Sequence, residues 1–141
     1  MRLAAILLVV VALVACGGHR SSSPGDVVRA WSAALDRDDS EAAGSLFADG
    51  ARVIQGGVQT LATHSDAVHW NAGLPCGGTI TLLEPRGDGR VLAVFALTSR
   101  PRHRCEAPGT SAAAVFQVKR GKIVLWHEVD VPAVPSTGVL A

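Results

Sequence analysis

The chain has no tyrosine, and its only aromatic residues are three tryptophans and three phenylalanines in 141 residues. No phenolic hydroxyl is therefore available to polarise a carbonyl group or to transfer a proton. An excess of charge of one sign is also lacking, because 13 basic residues stand against 12 acidic ones and the formal net charge is +1. A chain so balanced has no strongly basic surface, which excludes nucleic acid as an expected partner.

Common catalytic and phosphate-binding motifs are absent as well. The sequence contains no Gly-rich loop ending in Gly-Lys-Ser or Gly-Lys-Thr, no Gly-x-Ser-x-Gly turn and no His-Glu-x-x-His motif. His64 and His69 are five residues apart. On a helix this spacing places them about 140° apart around the axis, so they do not chelate one metal ion together. We therefore expect neither a metal ion nor a cofactor.

The first 25 residues have the composition of an export signal followed by a spacer. An apolar run extends from Leu3 to Val14 after a single Arg2, and small residues follow it. The run is shorter than the about 20 apolar residues that a membrane-spanning helix needs. This profile is typical of a signal peptide, which we place at residues 1–15. Residues 16–25, rich in Gly and Ser, form a flexible tether.

Leu13-Val14-Ala15-Cys16 resembles a bacterial lipobox. In such precursors the cysteine thiol receives a diacylglyceryl group before cleavage. The resemblance implies lipidation of Cys16, with palmitate as an acyl chain. Two or three acyl chains suffice for stable attachment to a bilayer. We therefore expect a mature protein anchored on the outer face of the cell membrane. An ordinary signal peptide with a coincidental cysteine is the alternative.

Helical periodicity marks the first half of the domain. Asp26–Asp38 repeats apolar residues at steps of three and four, with Asp26 as the predicted N-cap, and Glu41–Phe47 is a short second helix. Ala51–Ile54 is a short strand that leads into a turn at Gln55–Val58. Thr63 followed by Asp66 resembles a capping box, which starts a third helix that ends near Ala72.

The second half alternates with period two, which is typical of strands. Strands near 78–85 and 91–100 form a hairpin around Gly87-Asp88-Gly89, and strands at 113–119 and 122–131 form another. Helices that come first, followed by a run of strands, predict an α+β domain with helices on one face of a curved antiparallel sheet. This domain covers residues 26–131, and residues 132–141 are a C-terminal tail.

The three cysteines of an exported chain would leave one thiol unpaired. Lipidation of Cys16 removes that anomaly and leaves Cys76 and Cys105 to form a disulfide in an oxidising compartment. The first predicted hairpin supports this pairing, because it brings both thiols to one end of the sheet. A metal site is the rival interpretation. Neither Cys76 nor Cys105 has a second cysteine two to four residues away, as zinc sites usually do.

The order of elements, together with the segments Val28–Leu35, Ala43–Ala51 and Arg120–Trp126, resembles the nuclear transport factor two-like superfamily, which includes the SnoaL-like domains. The resemblance spans about residues 26–131. It implies a cone-shaped fold, with three helices on one face of the sheet and a cavity between them. Some members of the superfamily are isomerases, cyclases, dehydratases or hydrolases, and others bind ligands or partners without catalysis. Fold alone does not choose among these functions.

The resemblance implies that large aromatic side chains line the cavity, and we expect these to be Trp31, Phe47, Trp70, Phe95 and Trp126. On the last strand, strict alternation predicts two faces: Ile123, Leu125, His127 and Val129 on one, and Val124, Trp126, Glu128 and Asp130 on the other. If the first face points inward, His127 is the candidate base. If the second does, Asp130 lies near the position of the acidic base of SnoaL-like cyclases. A structural role accounts for either residue equally well.

The missing tyrosine argues against the best-known chemistry of this fold. Ketosteroid isomerases and scytalone dehydratases, which share it, use tyrosine hydroxyls to polarise a carbonyl, and no residue of that type is present. The cationic run Arg100–Arg104 is interpreted as a solvated loop, with contact to anionic lipid headgroups as the alternative.

Three functions follow from these observations. The first is a lipid-anchored envelope protein whose domain binds a small apolar ligand or a partner without catalysis. The second is a SnoaL-like isomerase, cyclase or hydrolase that acts on a small apolar carbonyl compound, with Asp130 or His127 as general base. The third is an interaction module that docks through the open sheet face, for example as a homodimer.

Overall fold

The structure, a computed structural model, describes residues 21–133. The predicted signal peptide, Cys16, the tether before Ser21 and the tail beyond Ala133 lie outside the described residues. Three helices and six strands follow one another in the predicted order. They are α1 (Pro24–Asp36), α2 (Ser40–Ser45), β1 (Phe47–Ile54), β2 (Val58–Leu61), α3 (His64–Gly73), β3 (Cys76–Gly87), β4 (Arg90–Ser99), β5 (Ser111–Lys119) and β6 (Lys122–Val129).

Two helices begin with reciprocal capping boxes. The box predicted at Thr63 and Asp66 is confirmed at the start of α3. The prediction of Asp26 as the N-cap of α1 is wrong, because Ser23 holds that position and Asp26 is the third helical residue. Ser23 accepts a hydrogen bond from the backbone of Asp26, whose carboxylate accepts one from the backbone of Ser23. With Pro24 in the first turn, this arrangement starts the helix two residues earlier than predicted.

The segment after α2 departs from its predicted boundaries. The helix ends at Ser45 rather than Phe47, and β1 begins at Phe47 rather than Ala51. The register of β1 on its neighbour shifts between Phe47 and Arg52, and Gly50 within that interval has a φ of +79°. Glycine adopts the left-handed backbone conformation easily and is common just after a helix. Gly50 instead lies within an irregular strand.

The six strands form one curved sheet in the order β2-β1-β6-β5-β4-β3. The prediction of a wholly antiparallel sheet is wrong at one pairing, because β1 and β6 run parallel. The other four pairings are antiparallel. Parallel neighbours need a long crossover between them, and the chain from β2 to β5 supplies it. The sheet is therefore mixed, and the β1–β2 hairpin extends it beyond β6.

A bulge at Val124 breaks the strict alternation predicted for β6. Ile123 pairs with Val118, whereas Leu125 pairs with the adjacent Gln117, so Val124 is left without a partner on β5. One extra residue moves every later side chain to the opposite face. Ile123 and Trp126 consequently both face the helices and are buried in the same core.

The helices cover one face of the sheet. Their common core joins α1 to the inner faces of β4, β5 and β6. A smaller apolar cluster lies on the other face and contains Leu92, Val94 and Ala113, with Val115 and Val129 packed against it. Within residues 21–133 none of the helices has both the length and the apolar content needed to cross a membrane.

Candidate functional site

A cavity of about 170 Å³ lies between α1 and the inner face of the sheet. It is at the end of the domain where α3 leads into β3 and where β1, β4 and β6 end. Its lining is mainly apolar. The residues that line it are Trp31, Ser32, Leu35, Gln55, Leu74, Pro75, Cys76, Gly77, Gly78, Phe95, Leu97, Ala112, Ala113, Ala114, Trp126 and Glu128.

Glycines allow α1 to approach the edge strand that forms one wall of this cavity. Ser32 donates a hydrogen bond to the carbonyl oxygen of Gly78 over 2.9 Å, and the carboxylate of Asp36 accepts one from the Gly78 amide over 3.0 Å. A Cβ atom at Gly78 would lie 2.9 Å from Cβ of Phe95, and one at Gly77 would collide with the Asp36 carboxylate. Two polar side chains of α1 thus form hydrogen bonds with the backbone of the edge strand, and these bonds fix the distance between α1 and β3 at the cavity.

Aromatic side chains form one continuous cluster beside and around the cavity. Trp31 and Phe95 line it, as does Trp126. Phe47 and Trp70, which were also predicted to line it, lie behind it. Trp70 contacts Trp126 with ring centroids 5.1 Å apart, and Phe47 contacts Trp70 at 5.6 Å. Edge-to-face contacts of this kind make a rigid wall.

The indole groups of two lining tryptophans are held differently. The Nε1–H of Trp31 donates to Oδ1 of Asn71 over 2.7 Å, and the amide of Asn71 in turn donates to the carbonyl oxygen of Ala67. These buried hydrogen bonds connect α1 to α3. The Nε1–H of Trp126 is also buried, and it finds no acceptor within residues 21–133. Trp31 is therefore oriented by hydrogen bonding, and Trp126 by packing alone.

Glu128 is the one ionisable residue among the described residues that line the cavity. It is exposed, and the lining also includes the amide side chain of Gln55. The hydroxyl of Ser32 is already bound to Gly78. Neither Glu128 nor Gln55 was predicted to be a site residue. The spacing of Trp126 and Glu128 on one strand was the available signal, because alternate residues of a strand share a face.

The two candidate bases lie away from the cavity. His127 pairs with Val115 of β5, whose side chain packs against the outer apolar cluster. Asp130 follows the end of β6, is exposed, and borders a shallow groove together with Gly56 and His127. The structure therefore does not bring His127 or Asp130 together with the aromatic lining. Within the described residues no group of three or more metal-ligating side chains occurs either.

In the loop Arg100–Arg104, which was predicted to be solvated, Arg102 and Arg104 are exposed as predicted, but Arg100 is not. The side chain of Arg100 is fully buried, and its Nε lies 2.7 Å from Oδ1 of Asp38, although the N–H bond is not directed at that oxygen. A second nitrogen of Arg100 donates to the carbonyl oxygens of Asn71 and Leu74 at 2.9 and 2.5 Å. The prediction was wrong for Arg100 because its counterion, Asp38, lies far away in the sequence.

Asp38 occupies an unusual backbone position. It follows the end of α1 with a φ of +57°, and the amides of Asp38 and Asp39 bond back to the last turn of the helix. Glycine is usual at such a position. The carboxylate accepts hydrogen bonds from the Arg102 amide and from His103. Burial by itself raises the pKa of Asp38, but these hydrogen bonds and the charge of Arg100 outweigh it, so that the pKa lies below its ordinary value.

The disulfide predicted between Cys76 and Cys105 is present, with the two Cα atoms 4.7 Å apart. It joins the first residue of β3 to the loop between β4 and β5. Cys76 lines the cavity, and Cys105 is buried behind it. The bridge therefore closes the same end of the domain at which the cavity lies.

Comparisons with known proteins were made on sequence and on structure. No protein-family model matches the chain, and none of the curated proteins matches it. Solved structures do. A nuclear transport factor two-like protein of unknown function from Cytophaga hutchinsonii superposes with a TM-score of 0.62 at 12% identity, over 76% of this chain and 88% of that one.

Two further solved structures are similar. A hypothetical protein with a ketosteroid isomerase-like fold from Catenulispora acidiphila, in complex with trimethylamine, has a TM-score of 0.57 and 21% identity over 77% of this chain and 87% of that one. A protein from Sphaerobacter thermophilus has a TM-score of 0.57 and 18% identity over 77% and 95%. At such identities the likeness establishes the fold and no activity. The chain has the α+β, cone-shaped fold of nuclear transport factor two-like proteins.

Proposed function

We propose that this protein is a lipid-anchored protein of the cell envelope whose domain binds a small, largely apolar ligand without catalysing a reaction. The observation that carries the proposal is the cavity beside Trp31 and Trp126. Its lining is aromatic and aliphatic, and Glu128 is the one ionisable group among its described residues. A concave, mainly apolar pocket with few polar groups is the usual form of a small-molecule site.

The size of the cavity limits the ligand. At about 170 Å³ it is close to the engineered apolar cavities of about 150 Å³ that bind benzene in another protein. Drug-sized ligands occupy about 300–1,000 Å³. The cavity therefore fits one ring or a short branched chain, and it is too small for a multi-ring steroid. The Catenulispora acidiphila protein, which shares the fold, was solved with the similarly small trimethylamine.

The positions of the candidate catalytic residues do not support the enzymatic alternative. A general base must come within hydrogen-bond reach of the proton it removes. Asp130 and His127 border a shallow groove outside the aromatic lining. Glu128 does line the cavity. Of the other polar side chains in the described lining, Ser32 is already bound to Gly78, which leaves the amide of Gln55. A reaction on a carbonyl compound needs a base and a charge-stabilising donor that are fixed in a water-excluded site, and both Glu128 and Gln55 are exposed.

Filling the cavity tests whether it binds ligands. Ala112 lines the cavity and is half-buried, so Ala112→Leu places a larger side chain in the space, whereas Ala30→Leu adds the same side chain on the exposed face of α1. We expect the full chain, in non-ionic maltoside micelles, to bind 3,3-dimethylbutan-1-ol saturably with a Kd of about 1 mM or below. Tryptophan fluorescence reports binding, because Trp31 and Trp126 lie in the wall.

Ala112→Leu is expected to weaken that binding about tenfold or more, and Ala30→Leu to leave it unchanged. Native mass spectrometry of the same preparation shows any small molecule retained from the cell. Equal affinity of the unaltered chain and Ala112→Leu, or no saturable binding by the unaltered chain, would contradict the proposal.

Attachment to the membrane is tested at Cys16. We expect the unaltered chain to stay in the membrane fraction after high-salt washing and to carry the added mass of acyl chains. Cys16→Ser is expected to remain unprocessed or to be released, and Ser22→Ala in the same tether to behave like the unaltered chain. Unchanged fractionation and mass of Cys16→Ser would show that the lipobox interpretation is wrong.

A homodimer through the outer sheet face stays a prediction. That face carries the apolar cluster of Leu92, Val94 and Val129, and Leu82 beside it is 42% exposed. Leu92 and Val94 themselves are already buried by their neighbours on the sheet. The stoichiometry seen by native mass spectrometry decides this point.

A further inference from the structure

We propose that the cavity selects a small organic cation, such as an alkylammonium ion, over a neutral molecule of the same shape. The inference rests on the proposed function, because it names the chemical class of the ligand that the same cavity takes. Three properties of the cavity carry it: the sign of the charges around it, the aromatic composition of its wall, and its size.

The charges that border the cavity are negative. Glu128 lines it, and no lysine, arginine or histidine is among the described residues that do so. A second carboxylate lies directly behind one wall, because Asp36 accepts a hydrogen bond from the amide of Gly78, which is itself a lining residue. The buried Arg100 does not offset them, since it is paired with Asp38. An anion would meet the negative charges of these two exposed carboxylates, whereas a cation is attracted by both.

The wall is built from the side chains that attract cations most. Two tryptophans and one phenylalanine, Trp31, Trp126 and Phe95, line the cavity. The face of an aromatic ring attracts an ammonium group within about 6 Å of its centroid, and tryptophan does so most strongly. In a cavity of about 170 Å³, a bound ligand cannot lie far from these rings. Sites that recognise quaternary ammonium groups are built from aromatic walls of this kind.

The size of the cavity limits the cation to a compact one. A trimethylammonium head with a short tail has the bulk of a neopentyl group, which falls within the one-ring limit derived above. A long polyamine or a two-ring purine does not fit the same space. The ligand class is therefore a small, branched amine that is protonated or quaternary at neutral pH.

Choline and 3,3-dimethylbutan-1-ol test the charge alone, because they have the same shape and differ in one positive charge. Both are titrated into the full chain in non-ionic maltoside micelles, and tryptophan fluorescence is followed. We expect choline to bind about tenfold more tightly than the alcohol. Glu128→Gln is expected to reduce that preference about threefold or more, because it removes the charge of Glu128 and keeps the shape of the side chain.

Glu84→Gln is the matched control, since Glu84 is an exposed glutamate outside the cavity, and it is expected to change neither Kd. Added salt is expected to weaken binding of choline only. Equal affinities for choline and the alcohol, or a preference that Glu128→Gln leaves intact, would overturn the inference while the cavity remains a binding site. If neither probe binds saturably, it is the proposed function that fails.

Discussion

Arg100→Met is expected to lower the free energy of unfolding by about 3–5 kcal/mol, because it removes one member of a fully buried ion pair. The guanidinium of Arg100 has no exposed surface and contacts two separate parts of the chain: Asp38 after α1, and the carbonyl oxygens of Asn71 and Leu74 at the end of α3. Methionine fills a similar volume but donates no hydrogen bond. Chemical denaturation of the full chain, followed by tryptophan fluorescence, measures the loss.

Arg100→Lys and the double variant Arg100→Met with Asp38→Asn separate charge from geometry. Lysine keeps the positive charge but not the forked donor group, so it is expected to recover part of the loss. The double variant removes both charges and is expected to be more stable than the sum of the single changes predicts, since neither partner is then left buried and unpaired. Strict additivity would show that Arg100 and Asp38 do not interact.

Asp38→Gly separates the effect of losing the carboxylate from the effect of the backbone conformation at residue 38. With a φ of +57°, residue 38 has a conformation that glycine adopts more easily than aspartate. If backbone conformation dominated, Asp38→Gly would stabilise the domain. We expect the opposite, because the substitution removes the counterion of Arg100 and the acceptor for His103 and for the Arg102 amide. A gain in stability would contradict the importance of the ion pair.

The stability that the Asp38 carboxylate contributes depends on pH. The pKa of Asp38 is lower in the folded domain than its ordinary value of 3.8, so the unfolded chain takes up a proton first as the pH falls. The stabilisation is therefore complete above about pH 4 and is lost as the pH falls through the depressed pKa. In Asp38→Asn this part of the acid dependence is expected to disappear, while that of the other carboxylates stays.

Local features of the fold were predictable from the sequence, because short segments determine them. The capping box at Thr63 depends on two residues three positions apart, and each hairpin depends on a turn between two alternating runs. The disulfide followed from the hairpin, since the β3–β4 register places Cys76 opposite Ser99, near the loop that holds Cys105.

Features that depend on distant partners were not predictable in the same way. The parallel pairing of β1 with β6 joins segments that are separated by most of the domain. The cationic run Arg100–Arg104 has the composition of a solvated loop, and only the position of Asp38 in space explains why Arg100 within it is buried. A single bulged residue, Val124, reversed the faces of β6. It put Ile123 on the face that Trp126 and Glu128 share, whereas strict alternation had placed Ile123 with His127.

Replacing both cysteines of the bridge, Cys76→Ala with Cys105→Ala, is expected to lower the free energy of unfolding by about 3–4 kcal/mol. The bridge spans 29 residues, and in the chain-entropy model a loop of that length restricts the unfolded ensemble by this amount. Urea denaturation of the full chain, with and without reductant, measures the difference. The double variant is preferable to single ones, because it leaves no free thiol to form mixed disulfides.

Reductant is expected to destabilise the unaltered chain to the level of the double variant and to leave that variant unchanged. If the bridge acts through the unfolded chain, its removal also makes the free energy of unfolding fall more steeply with urea concentration. The reason is that the unfolded chain expands and exposes more surface. The bridge also closes the end of the domain where Cys76 lines the cavity. Its loss is therefore expected to weaken ligand binding as well as stability, whereas Glu128→Gln affects only the charge preference. An oxidised chain no more stable than the reduced one would show that the two thiols are not bridged.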